Sequence, residues 1–124
     1  MFAKTKIQPS LVMLIISIVF FVLSAVLGLT VAIALLKKQT TSKPVVLAHG
    51  AVGAAGLIML IFYTAKNPNN LLTTAIILLV VAALGGAVLF ANDLRKKPGP
   101  LFLVAIHAVV ALAAVGTVAV VALR

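Results

Sequence analysis

Residues 45–64 read VVLAHGAVGAAGLIMLIFYT, and residues 101–123 read LFLVAIHAVVALAAVGTVAVVAL. Each run is apolar throughout and each carries one histidine. These two, His49 and His107, are the only histidines in the chain. Two further apolar runs, Leu11–Leu36 and Leu71–Ala91, lie between and before them. All four reach the ~20 residues that a helix needs to cross a bilayer. Hydrocarbon offers no partner for open backbone groups, so the runs are expected to be helices. The strands of a membrane barrel would be shorter and would alternate polar with apolar residues, as these do not.

Composition agrees. Hydrophobic residues make up 65%, charged residues 9%, and the mean hydropathy is +1.36. A soluble domain carries about 25% charge. The 124 residues are filled by the four spans, giving one transmembrane domain over 1–124. The first run follows Lys4 and Lys6 but is too long for a signal-peptide core of ~7–15 residues, so it reads as a retained helix.

The net charge of +9 sits at segment ends and in loops. Basic residues flanking apolar spans point to anionic lipid headgroups rather than nucleic acid. Lys37, Lys38 and Lys43 fall in the first loop and Arg95, Lys96 and Lys97 in the third. Lys4, Lys6, Lys66 and Arg124 fall at the other end. Six against four places the first and third loops in the cytoplasm by the positive-inside rule. The expected location is the bacterial inner membrane.

The chain looks duplicated. Gly28, Lys37-Lys38, Pro44 and His49 are matched by Gly85, Lys96-Lys97, Pro100 and His107, at offsets of about 56–59 residues. The repeats cover about 10–66 and 70–124, each with two spans, so both copies share one orientation. The fold expected is an all-α polytopic membrane protein. Its four helices form an up-down bundle built from two parallel helical hairpins.

An ionisable side chain within a span marks a functional site by default. In such a bundle the second and fourth helices are diagonal, with axes roughly 11–14 Å apart. One hydrogen bond between imidazoles does not bridge that gap, but a metal on the axis does. A porphyrin iron, which takes histidine axially, is the natural candidate. His49 and His107 are therefore the expected metal ligands, holding one haem b per chain. Gly28, Gly85 and Gly86 fall at the depth of the histidines on the other two helices. Gly53 and Ala111 follow each histidine by four residues on its own face. These five are expected to line the cofactor. Lys43 and Arg95 are expected near its propionates, arginine through bidentate bonds.

Several chemistries are disfavoured. There is no cysteine, hence no thiol–disulfide exchange or thiolate metal site. No acid lies in mid-span for proton-coupled export, and no triad or carboxylate pair serves hydrolysis. Met13 and Met59 are remote from the histidines, which weakens a copper site. The one acid, Asp93, is a candidate to orient a histidine; a pair with Arg95, Lys96 or a loop lysine is the simpler expectation. Ser17, Ser24 and Thr30 are expected to bond back to their own helix.

The pattern of His49-Gly50 with Gly53 and Gly56, and of His107-Ala108 with Ala111 and Ala114, resembles that of small bacterial four-span membrane proteins that repeat a histidine-plus-small-residue helix. In general style the chain is also similar to transmembrane b-type cytochromes, which ligate haem with histidines from facing helices. It departs from their di-haem members, which need four ligands. The resemblance implies an electron carrier rather than a substrate-converting enzyme, with a quinone or redox protein as partner and a homo-oligomer as a further option. Two alternatives stay open: a structural or assembly subunit without cofactor, and a small transporter or channel.

Overall fold

The computed structural model describes residues 8–97 and 99–124. Lys4 and Lys6, counted in the charge balance, lie outside them. The chain forms four helices: α1 (Pro9–Leu36), α2 (Lys43–Lys66), α3 (Asn70–Leu94) and α4 (Leu101–Leu123). Each is long and apolar enough to cross a membrane. The shortest has 23 residues, about 35 Å at 1.5 Å per residue, against a hydrocarbon core of ~30 Å.

Local chemistry sets the helix ends. Pro9 and Pro44 occupy the first turns of α1 and α2, where the missing N–H costs nothing. Asn69 caps α3, its side chain accepting from the backbone N–H of Leu71 at 2.8 Å and of Leu72 at 3.3 Å. α1 and α3 end in the same motif. Gln39 N–H donates to the Ala34 carbonyl and Lys38 N–H to the Leu35 carbonyl; Lys97 and Lys96 do the same to Asn92 and Asp93. This is a Schellman closure. Its left-handed position is held by lysine both times, Lys38 at φ 54° and Lys96 at φ 57°.

α1 packs along α2 and α3 along α4. The hairpins then meet more loosely through α2 against α3 and α1 against α4, while the diagonal pairs do not approach at the backbone. The expected up-down bundle is what forms. Most large apolar side chains point outward, among them Leu29, Phe62, Ile77 and Val109. In water this surface would drive aggregation; in lipid it is solvated. Lipid tails supply no hydrophobic drive between helices, so close packing has to. The interior faces are accordingly narrow and partly small: Leu14, Ser17, Phe21 and Ser24 on α1, Gly56 and Leu60 on α2, Leu72, Ala75, Leu79 and Ala82 on α3, and Ala114 and Val118 on α4.

These stripes fix the repeat. Every buried residue of α1 has its counterpart on α3 58 positions later, and the same holds for α2 and α4. His49 and His107, and the left-handed Lys38 and Lys96, obey the same offset. The variable offsets read from sequence thus resolve to one. Gly28 corresponds to Gly86, not to Gly85, which is matched by Leu27. Pro100 corresponds to Ser42, not to Pro44. Both Pro100 and Ser42 are N-cap residues.

Candidate functional site: a histidine pair on the bundle axis

Along the bundle the interior divides into two layers. Leu14, Leu60, Leu72 and Val118 close the end nearer the α2–α3 turn and are almost fully buried. The histidines occupy the opposite end. Each lies six residues past the first residue of its helix, about 9 Å into it.

Each imidazole is tied to the preceding helix of its own hairpin. The Nδ1–H of His49 donates to the Ser24 carbonyl at 2.7 Å, and that of His107 to the Ala82 carbonyl at 2.8 Å. Both bonds span 25 residues. A carbonyl only accepts, so the proton sits on Nδ1. In the neutral ring Nε2 then keeps its lone pair. Neither Nε2 has a hydrogen-bond partner among the described residues. No polar side-chain atom there is both sealed from solvent and unpaired, so both Nε2 atoms remain reachable. Carbonyl-fixed imidazoles with a free nitrogen are the usual state of metal-ligating histidines.

The two rings face each other across the diagonal, with centroids 6.1 Å apart and planes at 75°. A five-membered ring with bonds of ~1.35 Å has a radius of ~1.15 Å, so nitrogens of the two rings are at least about 3.8 Å apart. That exceeds hydrogen-bond reach. Two imidazole nitrogens on opposite sides of one metal ion, at ~2.0–2.1 Å each, are ~4.0–4.2 Å apart, a distance that the 6.1 Å centroid separation permits. Among the described residues no third His, Cys, Asp or Glu completes a metal-binding group.

The glycines give the rings room. A Cβ on Gly28 would lie 2.7 Å from His49 Cε1, and one on Gly86 3.1 Å from His107 Cε1. The space at these two positions is thus taken by the imidazoles themselves. Gly85 stands back, 4.0 Å from His107 Nδ1, and a Cβ on Gly53 would meet the Ser24 hydroxyl at 3.0 Å. Ala111, the counterpart of Gly53, is half-buried. The nearest cavity, about 110 Å³ beside His107, is well below the ~300–1,000 Å³ of ligand pockets. The space beside the rings is too small for a macrocycle as the helices are packed.

Asp93 does not orient a histidine. It accepts from the Thr41 hydroxyl at 2.7 Å and pairs with Lys43, which also donates to Thr41 at 3.2 Å. The simpler expectation holds, with Lys43 as the partner. This cluster ties the first loop to the end of α3 and so joins the hairpins at the histidine end. Arg95 is the exposed C-cap residue of α3.

The serine expectation is corrected in two of three cases. Thr30 does bond back, to the Leu27 carbonyl at 2.7 Å. Ser17 instead donates to the Gly56 carbonyl at 2.8 Å, and Ser24 to the His49 carbonyl at 2.9 Å. The Ser24 hydroxyl also lies 3.1 Å from His49 Nδ1. The physical reason is proximity: Gly53 and Gly56 let α2 come close enough to be reached. Ser24 and Thr41 are the site residues that sequence reasoning missed. Leu14, Ser17, Phe21, Ser24 and Gly28 follow the 3–4 spacing of one helix face, and that face was the available signal for Ser24.

Comparison with protein-family models, curated proteins and solved structures finds no match.

Proposed function

We propose that this chain is a membrane-embedded haem protein that carries electrons, with His49 and His107 as the two axial ligands of one haem b. The observation that supports the reading is the pair itself: two imidazoles across the axis, ring centroids 6.1 Å apart, each held through Nδ1 so that its Nε2 is left without a partner among the described residues. With only two protein donors, a bare first-row ion would fall short of its preferred four to six ligands. A porphyrin would supply the missing donors and a metal that changes oxidation state. With both histidines committed to it, electron transfer would be favoured over oxygen binding. The chain's own part is to hold the imidazoles in one tautomer and exclude water with a lipid-facing shell. The exposed cations Lys37, Lys38, Lys96 and Lys97, with Arg95, offer partners for propionates. In this reading a quinone or redox protein completes the path, and the basic loops face the cytoplasm of a bacterium.

The test is haem titration of the purified chain followed by visible spectroscopy. Saturation at one haem per chain with sharp low-spin bands in the reduced protein is expected. His49→Ala and His107→Ala should each destroy the six-coordinate spectrum. A chain that takes up no haem, or an unchanged spectrum in both variants, refutes the reading.

The filled space at Gly28 and Gly86 favours a second reading, a structural subunit without cofactor. There the imidazoles serve only to stitch α1 to α2 and α3 to α4. That reading requires a colourless protein whose stability falls on replacing either histidine.

A further inference from the structure

The single offset that relates the repeats also relates the two seams between the hairpins, α2 against α3 and α1 against α4. At the histidine end only one of them is tied. Among the described residues two side-chain hydrogen bonds cross from one hairpin to the other. They come from the Thr41 hydroxyl and the Lys43 ammonium, and both end on the same oxygen, Asp93 Oδ2. The bonds of Ser17 to Gly56, Ser24 to His49 and His107 to Ala82 all stay within a hairpin. At the other seam the counterparts of Thr41, Lys43 and Asp93 are Gly99, Leu101 and Leu35. Those positions offer no side-chain donor or acceptor. Lipid tails are as apolar as leucine, so a leucine gains little by leaving lipid for a helix seam.

The opposite end of the bundle is closed on all sides. Leu14, Leu60, Leu72 and Val118, one from each helix, are fully buried there, and α2 runs into α3 through residues 67–69. The α2–α3 seam is thus held at both ends, by the chain at one and by the Asp93 cluster at the other. The α1–α4 seam is held only by the packed layer. Toward the histidine end the buried positions of α1 and α3 are Ser24 and Ala82, too small to interlock.

We infer that the α1–α4 seam is a lateral gate. The hairpins turn about the clasped α2–α3 seam and the packed layer, and the opening lets molecules dissolved in the bilayer reach His49 and His107. The histidines lie 11 residues from Leu60 and Val118, about 17 Å along their helices. A rotation of ~10° parts the seam by about 3 Å at that level. The gate is independent of what the imidazoles hold.

The chain has no cysteine, so spin labels can be placed in chosen pairs through introduced ones. Leu47 with Leu94 spans the α2–α3 seam at the histidine end, and Leu36 with Ala105 spans the α1–α4 seam. The repeat offset relates the two pairs, and all four residues are exposed. A bundle with two equal seams gives both pairs one distance distribution. Double electron–electron resonance on the full chain in lipid nanodiscs should instead show a tail about 5 Å longer for Leu36–Ala105, the opening that ~10° gives about 26 Å from the packed layer. Leu35→Asp with Leu101→Lys copies the ion pair onto the open seam and should remove that tail. Asp93→Asn should lengthen the Leu47–Leu94 distribution. Dissolved oxygen, a paramagnetic probe that concentrates in lipid, should broaden the histidine ring signals of the parent in NMR and lose that effect in the Leu35→Asp, Leu101→Lys variant. Matching distributions in the parent, or the longer tail at Leu47–Leu94, overturn the gate, and this comparison needs no change beyond the labels. A tail that survives Leu35→Asp with Leu101→Lys overturns the role of the Asp93 cluster. Equal oxygen broadening in both proteins overturns the access to the histidines.

Discussion

Replacing Gly28 by alanine tests the site at its tightest point. The new Cβ would lie 2.7 Å from His49 Cε1 and 3.0 Å from Nδ1. Carbon atoms pack at ~3.5–4.0 Å, so the ring has to back away by about 0.8–1.3 Å. It is tethered by the 2.7 Å bond from Nδ1 to the Ser24 carbonyl. A shift of that size stretches the bond to at least about 3.5 Å, outside the N–H···O range. Overpacking costs ~1–3 kcal/mol and the lost bond ~1 kcal/mol; alanine returns ~1 kcal/mol of helix propensity. The net expectation is a loss of ~1–3 kcal/mol. At Gly86 the nearest ring atom is 3.1 Å away, and the same reasoning leaves a net loss of ~0–1 kcal/mol. At Gly85 the nearest atom is at 4.0 Å, so alanine should be neutral or stabilise by up to ~1 kcal/mol. Helix content against rising SDS fraction in mixed micelles measures the series. The expected order of stability is Gly28→Ala below Gly86→Ala, and Gly86→Ala below Gly85→Ala. A Gly28→Ala variant as stable as the parent, or Gly85→Ala as the most damaged of the three, refutes the packing argument.

Three further predictions concern the scaffold. Lys38→Gly and Lys96→Gly relieve a left-handed backbone at φ 54° and 57°, and each should raise stability by ~0.5–1 kcal/mol in the same assay. Ser17→Ala removes a fully buried hydroxyl bonded to the Gly56 carbonyl and should cost ~0.5–1.5 kcal/mol. The second repeat already holds alanine at the equivalent Ala75, so steric damage is not expected. Asp93→Asn weakens the link between hairpins. The Lys43 and Asp93 side chains are 41% and 23% exposed, which limits the loss to ~1 kcal/mol or less. The gap from the parent should narrow as salt rises, and a salt-independent gap counts against an ionic link.

The sequence by itself determined the four spans, their order and the placement of the charges. These depend on local quantities: the length of an apolar run, a proline in a first turn, an asparagine cap. It also carried the duplication, because a repeat is a property of the string. The interior faces of α2 and α4 were legible too, since His49, Gly53, Gly56 and Leu60 share one face at 3–4 spacing, as do His107, Ala111, Ala114 and Val118.

The register of that repeat, and everything that turns on it, was decided by the tertiary structure. Which of two adjacent glycines lies under His107 depends on the rotation of α3 about its axis. At about 100° per residue that leaves the Gly86 Cβ position 3.1 Å from the ring and the Gly85 position 4.0 Å from it, yet both read alike in one dimension. The partners of the imidazoles are backbone carbonyls, Ser24 and Ala82, and every residue has a carbonyl, so no residue type announced them. Ser24 turned from its own helix to α2 because glycines on α2 allow close approach. The cavity beside His107 exists only because Gly85 and Ala82 of one helix meet Leu103, Ile106 and Val110 of the next. Spans follow from what each segment is; the site follows from which atoms are left facing each other once the helices have packed.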